Sequence, residues 1–512
     1  METTLEALLA RHPGDTAAVG ATDPNAMTYA ALRTLSQDIR ASLHQLGIGH
    51  GDRVAVVLAN GPHMATAFVT IAQTAVTAPL NPAYREEEFA FYLEDLGAKA
   101  LVVASDYSGP ALDAAARLGT QVIRLSVTPE GPAGAFYLAA ETRGESAPDV
   151  AKPDAEDTCL ILHTSGTTSR PKIVPLSQAN VSASAQNIAA SLALSPKDRG
   201  MNVMPLFHIH GLVAAVSASL AAGASIWCTP GFDALRFFAQ MREIKPTWYT
   251  AVPTMHQAIL SRAGRNADAI ETAPLRFVRS SSASLPPQVM DALRKTFGVP
   301  VIEAYGMTEA AHQMASNPLP PRAQKAGSVG VAAGPAVQIA HESEDRLVDG
   351  TGEVVISGPN VTAGYENNSD ANAKSFFLAE GARWFRTGDQ GAFDDDGYLF
   401  LTGRLKEIIN RGGEKVSPLE VDSVLLDHPD IAQVVTFALP HTKLGEEVAA
   451  AVVLREGASA DEAAIRAFAS EHMAGFKVPR RVVIVAEIPK GATGKMQRIG
   501  MAEKLGLVAS AG

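Results

Sequence analysis

Thr164-Ser165-Gly166-Thr167-Thr168-Ser169-Arg170-Pro171-Lys172 directly follows the apolar run 160–163 (LILH). The run reads as a buried strand, and the glycine and hydroxyl residues after it read as a tight loop. Such a loop can turn several backbone N–H groups and hydroxyls toward one anion, and Lys172 adds a mobile positive charge. The Gly-Lys-Ser/Thr ending of a Walker loop is missing, so a different phosphate cradle is expected. A polar surface loop is the plain alternative for this segment taken alone.

On either side of it, short apolar runs alternate with helical patterns. Residues 53–58 (RVAVVL) read as a strand, 61–74 as a helix and 98–104 as the next strand. The rhythm returns at 225–229 and 299–302. Strand–helix alternation predicts an α/β fold with parallel strands joined by helices. Residues 128–157, rich in Pro, Gly, Ala and acidic side chains, read as a surface connection. After about Gly327 the pattern changes. Residues 354–357 and 398–402 read as strands between Gly and Asp turns, which suggests a smaller β-rich unit. From Arg404 a compact α/β tail begins, with strands near 434–438, 449–454 and 482–485. A helix over 461–472 is opened by Ser459 and carries Ile465 and Phe468 on its apolar face.

Bulk properties narrow the function. The chain has 512 residues, enough for several domains, with 46% hydrophobic and 19% charged residues, as in a globular protein with a large core. A net charge of −11 argues against a general nucleic-acid binder but leaves room for a local cationic site. The two cysteines, Cys159 and Cys228, lie in apolar runs and read as buried free thiols. The stretch 211–227 is apolar but broken by Ser217, Ser219 and Ser225, so it reads as a buried helix leading into a strand rather than a membrane span. Neither a secretory start nor a peroxisomal ending is legible, and a soluble cytoplasmic protein is expected.

Further motifs follow the loop in order: Tyr305-Gly306-Met307-Thr308-Glu309, Thr387-Gly388-Asp389, Gly403-Arg404-Leu405-Lys406-Glu407, Arg411-Gly412-Gly413-Glu414-Lys415 and Pro489-Lys490-Gly491-Ala492-Thr493-Gly494-Lys495. With the loop, this set resembles the adenylate-forming superfamily of acyl-CoA synthetases, luciferases and peptide-synthetase adenylation domains. The resemblance implies a large N-terminal domain, residues 1–403, made of two α/β subdomains and a small β-rich subdomain. It further implies a hinge at 404–406 and a mobile small α/β domain at 407–512. The reaction it implies couples ATP, Mg2+, a carboxylic acid and coenzyme A through an acyl-AMP.

That chemistry needs such residues. The carboxylate and ATP repel each other, so the site must supply positive charge and oriented donors where negative charge accumulates. By resemblance, Thr164, Ser165, Gly166, Thr167, Thr168 and Lys172 hold the phosphates. Glu309, with Thr164, holds magnesium. Asp389 takes the ribose hydroxyls, and Arg404 adds a nucleotide contact. Tyr305, with Ala304, Gly306, Thr308 and the wall Ser282-Ala283-Ser284, borders the adenosine. Lys495 neutralises the α-phosphate and the acid. Lys406 is the hinge residue, and the loop of Arg411, Gly412, Gly413 and Glu414 meets CoA after rotation, its glycines allowing close approach. The plain alternatives are a solvated acid for Glu309, a turn cap for Asp389, a core tyrosine for Tyr305 and a solvated lysine for Lys495.

For the acid itself, the wording at 205–212 (PLFHIHGL), 247–260 (TWYTAVPTMHQAIL), 279–285 (RSSSASL), 303–320 (EAYGMTEAAHQMASNPLP) and 409–418 (INRGGEKVSP) is similar to that of oxalate–CoA ligases. Ile173 stands where the familiar form of that group has glycine. His208 is by resemblance the gate on the pantetheine tunnel. Metal ligation by His208 and His210 lacks a third ligand at metal-site spacing. A run of hydroxyls with His312 suits a small polar acid, and Ser282 and His312 are the candidates for a second carboxylate, whose charge is costly to leave unpaired. Malonate, short-chain or aryl acids are the same-fold alternatives. A luciferase-like oxygenase and a non-catalytic nucleotide sensor are weaker rivals. Lys495 also sits in a pattern resembling acetylated sites of bacterial acyl-CoA synthetases, so a lysine acetyltransferase is an expected partner.

Overall fold

The computed structural model describes residues 2–21, 25–140, 153–164, 171–489 and 497–508. Among these, two large sheets stand face to face around one core. The first has seven strands, with Gln121–Val127, Ala100–Ala104, Arg53–Val57, Val76–Pro79 and Thr158–Thr164 parallel at its centre. Its edges are the antiparallel Phe136–Ala140 and Lys172–Ser177. Strand alternation explains the layering. Val54, Val56 and Val102 face the core shared with the second sheet, whereas Ala55, Val57 and Val103 pack under the helices Glu86–Leu96 and Pro110–Leu118. Both faces are covered, which is why these strands are apolar throughout.

The second sheet has nine strands. Its parallel part runs Val301–Met307, Phe277–Ser280, Trp248–Ala251, Arg199–Asn202, Ser225–Cys228 and Ala17–Gly20. His312–Ser316 adds antiparallel to Val301–Met307. Trp248, Phe277 and Ile302 point into the shared core, and Tyr249, Val278 and Val301 pack against helices on the far face. An antiparallel five-stranded sheet around Ala382–Phe393 follows, and then a separate five-stranded sheet within 409–484. The last carries its own core of Ile409, Val421, Val434, Val448 and Ile465. The α/β class, the β-rich unit and the small C-terminal unit are therefore as the sequence indicates.

The structure corrects several local expectations. The connection 128–157 contains an edge strand, Phe136–Ala140, which buries Phe136 and Leu138 and exposes Tyr137 and Ala139. The helix expected over 461–472 is Glu462–His472, and its cap is Asp461, which accepts from the Ala464 N–H at 2.8 Å; Ser459 does not serve. Ile465 is buried on that helix with Ala469, while Phe468 is half-buried, stacked on His472 and edge-on to His428. The helix expected over 61–74 is shorter, Pro62–Ile71, with proline at its first turn. The stretch 211–227 is a π-helical turn, His210–Ser217, running into Ala218–Ala221 and the strand Ser225–Cys228. Cys159 and Cys228 are buried free thiols, and burial pushes the Cys228 thiol up to about 12. Among the described residues, no helix is long and apolar enough to cross a membrane.

Candidate active site

The site lies where the parallel strands of the second sheet end at their carboxyl edge, the usual place for a ligand in an α/β sheet. The antiparallel register of the β-rich unit sets Asp389 opposite Arg404. The Arg404 Nε stands 3.3 Å from the Asp389 carboxylate, and the Tyr305 hydroxyl donates to its other oxygen. Burial raises the Asp389 pKa, and Arg404 and Tyr305 oppose that rise. In turn Asp389 is the largest cause of the raised Arg404 pKa. A buried carboxylate held by a tyrosine and an arginine can accept hydrogen bonds from a vicinal diol.

A second cluster surrounds Glu309, in the short turn Thr308–Ala310. Glu309 is buried and accepts from the Tyr365 hydroxyl at 2.8 Å. Lys172 sits with its Nζ 4.2 Å from the Tyr365 ring centroid. Burial lowers the Lys172 pKa, with Lys406 acting in the same direction and Glu309 against both. Burial also raises the Glu309 pKa. A divalent cation would relieve that desolvation, and magnesium suits one protein carboxylate with phosphate oxygens and water. The residues present therefore fit magnesium carried in with ATP. Thr164 pairs with Lys172 in the strand register, so it stands at the mouth of the same loop. Ile173 is buried in the core under that sheet. Ser165, Gly166, Thr167, Thr168 and Lys495 lie outside the described residues.

The third cluster is polar and deep. Parallel register sets Thr250 beside Arg279. His210 bridges from the π-helical turn, with Nε2 2.6 Å from the Thr250 hydroxyl and Nδ1 2.9 Å from that of Ser282. His312 packs 5.1 Å from the His210 ring and 3.5 Å from the Ser281 hydroxyl. Ser281 donates to the Ala304 carbonyl at 2.8 Å. Ser282 (φ 73°) and His312 (φ 101°) hold left-handed backbone that non-glycine residues seldom adopt. Gly306 has its own reason: a Cβ there would meet the His312 carbonyl oxygen at 2.0 Å. Ala283 and Ser284 are exposed on the loop beyond. His208 is half-buried, 4.5 Å from the Phe207 ring. The histidine placed against Ser282 is thus His210, which the sequence pattern named only as a rejected metal ligand.

Arg279 lies under this cluster and is fully buried. Its guanidinium donates to Thr250 at 3.4 Å and to Gln313 at 3.3 Å, and lies 3.4 Å from His210 Nε2. Among the described residues it has no carboxylate partner, and its Nε has no partner at all. Burial pushes its pKa down to about 9, so it remains charged at neutral pH. Tyr365, Thr250, Gln313 and Arg279 were not named as site candidates, although the last three lie inside the quoted stretches 247–260, 303–320 and 279–285.

Lys406 is exposed on a turn just after Arg404. Farther on, Arg411 is paired through two nitrogens with Glu447. Gly412 (φ 62°) and Gly413 (φ 98°) take left-handed backbone, and Glu414 pairs with Arg411 across the hairpin.

These features define a nucleotide-dependent ligase fold built from a large and a small unit. The chain belongs to the AMP-binding enzyme family, whose model matches residues 5–366, with the C-terminal domain model of the same family at 420–495. It is 45% identical to oxalate–CoA ligase of Arabidopsis thaliana, covering 92% of each chain. It is 40% identical to oxalate–CoA ligase of Saccharomyces cerevisiae, over 88% of this chain and 86% of that one. ATP-bound MatB from Rhodopseudomonas palustris superposes with a TM-score of 0.86 at 27% identity, over 98% of this chain and 99% of that one.

Proposed function

We propose that this chain activates oxalate and delivers it to coenzyme A as oxalyl-CoA. The chain is an ATP-dependent, AMP-forming acid–thiol ligase. One oxalate oxygen attacks the α-phosphorus of ATP and pyrophosphate leaves. The CoA thiol then attacks the acyl carbon and AMP leaves. The observation that carries the choice of acid is the cluster of Ser282, His210 and His312 above a buried, charged Arg279. A fatty acid would leave these donors unmatched; a second carboxylate accepts from them, with the buried Arg279 charge behind.

Within this reading, Ser282 and His312 bind the distal carboxylate and His208 lines the path of the thiol. Asp389, Arg404 and Tyr305 hold the ribose and adenine side, with Ala283, Ser284, Ala304, Gly306 and Thr308 around them. Lys172, Thr164 and the loop Ser165 to Thr168 hold the phosphates with magnesium on Glu309, and Lys495 neutralises the reacting anions. The small domain, 407–512, turns about 404–406 with Lys406 as pivot. That turn exchanges Lys495 for the loop Arg411 to Glu414, and Arg411 must then leave Glu447 to meet CoA. The same reading includes a cytoplasmic location and control by acetylation of Lys495, which would remove the charge that adenylation needs.

The test is an acid panel. AMP and CoA-thioester formation are measured with oxalate, malonate, acetate, 4-coumarate and octanoate. Oxalate is expected to give the highest kcat/KM. Turnover of octanoate without turnover of oxalate would overturn the reading. For the acetylation part, activity unchanged after complete acetylation of Lys495, read by mass spectrometry, removes that control.

A further inference from the structure

The neutral ring of a histidine can carry its proton on either nitrogen, and its neighbours decide which. His210 sits between the Ser282 hydroxyl at Nδ1 and two groups at Nε2, Thr250 and Arg279. A hydroxyl can donate or accept, so Ser282 and Thr250 fit either tautomer. A guanidinium can only donate. With a proton on Nε2, the ring N–H would face the guanidinium N–H groups 3.4 Å away in a fully buried site. A doubly protonated ring would face a like charge there. Only the Nδ1–H form suits Ser282, Thr250 and Arg279 together: Nε2 accepts from Thr250 with the Arg279 guanidinium facing the same lone pair, and Nδ1 donates to Ser282.

Ser282 then accepts from His210 through one lone pair, and its own proton points elsewhere. Ser282 is half-buried and the residues after it, Ala283 and Ser284, are exposed, so this hydroxyl lies at the solvent side of the cluster. The left-handed backbone at Ser282 is consistent with a hydroxyl held in place against its own conformational preference.

We propose that Arg279 is a positioning residue for acid selection: it fixes His210 as the Nδ1–H tautomer and so sets the Ser282 hydroxyl as a donor to the distal carboxylate of the acid. This rests on the acid-site reading given above, but the tautomer itself does not depend on which acid is used. Ser282 acts on substrate directly, while Arg279 acts through His210.

Two measurements test it on the full-length protein. Long-range 1H–15N correlation on histidine-labelled protein, with His210→Gln to assign the signal, reads which ring nitrogen holds the proton. Nδ1–H is expected without any ligand, and Nε2–H in the unmodified protein would overturn the proposal, even if every Arg279 variant failed to fold. The second measurement is kinetic. Arg279→Met replaces the buried charge with an apolar chain of similar length. It is expected to raise KM for oxalate about 10- to 100-fold while KM for ATP changes less than about twofold, with Arg279→Lys restoring part of the loss. Equal rises in both KM values, with no rescue by lysine, would reduce Arg279 to a packing residue and overturn the proposal. An Nδ1–H ring in a protein that does not turn over oxalate would support the relay and remove the oxalate reading instead.

Discussion

Glu303→Gln should make the protein more stable as pH rises, and the size of the effect follows from its surroundings. Glu303 lies on the strand Val301–Met307 and is 2% exposed. One carboxyl oxygen accepts from the Leu285 N–H at 2.8 Å, which anchors the end of the loop 282–284. The other oxygen has no partner among the described residues. Burial pushes the carboxyl up to about 8 from an ordinary 4.5, against the pull of the Leu285 bond. Below the ordinary value both folded and unfolded chains hold the proton, and the stabilising neutral form is fully present. As pH rises past it the unfolded chain loses its proton while the folded one keeps its own. Stability then falls by about 1.4 kcal/mol per pH unit, until the folded carboxyl also ionises. Across the whole window the loss is on the order of 5 kcal/mol. Glutamine keeps the acceptor for Leu285 and cannot ionise. Melting curves of both proteins at pH 5, 6, 7 and 8 are the assay. The variant is expected to gain on the parent steadily as pH rises, by about 5 °C in all, at roughly 1 °C per kcal/mol for a domain of about 400 residues. Parallel melting profiles across that range would refute the reasoning, because they would mean that Glu303 ionises in the fold as it does in water.

Tyr365→Phe removes the hydroxyl that lowers the Glu309 pKa against burial. Half-maximal adenylation on the acid side should therefore move to higher pH, and KM for magnesium should rise about tenfold; a pH–rate profile with magnesium titration checks both. Gly306→Ala places a Cβ 2.0 Å from the His312 carbonyl oxygen, so backbone must move. A stability loss of about 1–3 kcal/mol by denaturant titration, with KM for the acid rising more than KM for ATP, is expected. Lys495→Ala should cut pyrophosphate release at least about 100-fold while sparing thioester formation from synthetic acyl-AMP. A variant that still releases pyrophosphate at the parent rate would remove Lys495 from the adenylation step.

What could be read from the sequence is what neighbours in sequence decide. The strand before Thr164 announces itself over a few residues, because buried strands select residue types locally. The strand Phe136–Ala140 escaped because its setting is rich in proline and glycine, although its in–out alternation was there to find. Ser459 drew attention as a cap over Asp461 because both residue types serve, and only the bond from the Ala464 N–H separates them.

Arg279 and its partners escaped for a stronger reason, although Ser282 and His312 were legible. Arg279 meets Thr250 through parallel register, His210 through a wide helical turn and Gln313 from an added antiparallel strand. No periodicity connects those four positions. In the sequence Arg279 is a polar residue at the end of an apolar strand, which ordinarily marks the point where a strand leaves the core. Here it is fully buried and has no carboxylate partner among the described residues. Such a charge costs several kcal/mol unless something meets it. On the proposed reading the donors and the cation of this site form one unit with the acid, and the buried charge of Arg279 is the part of the specificity that only the folded chain displays.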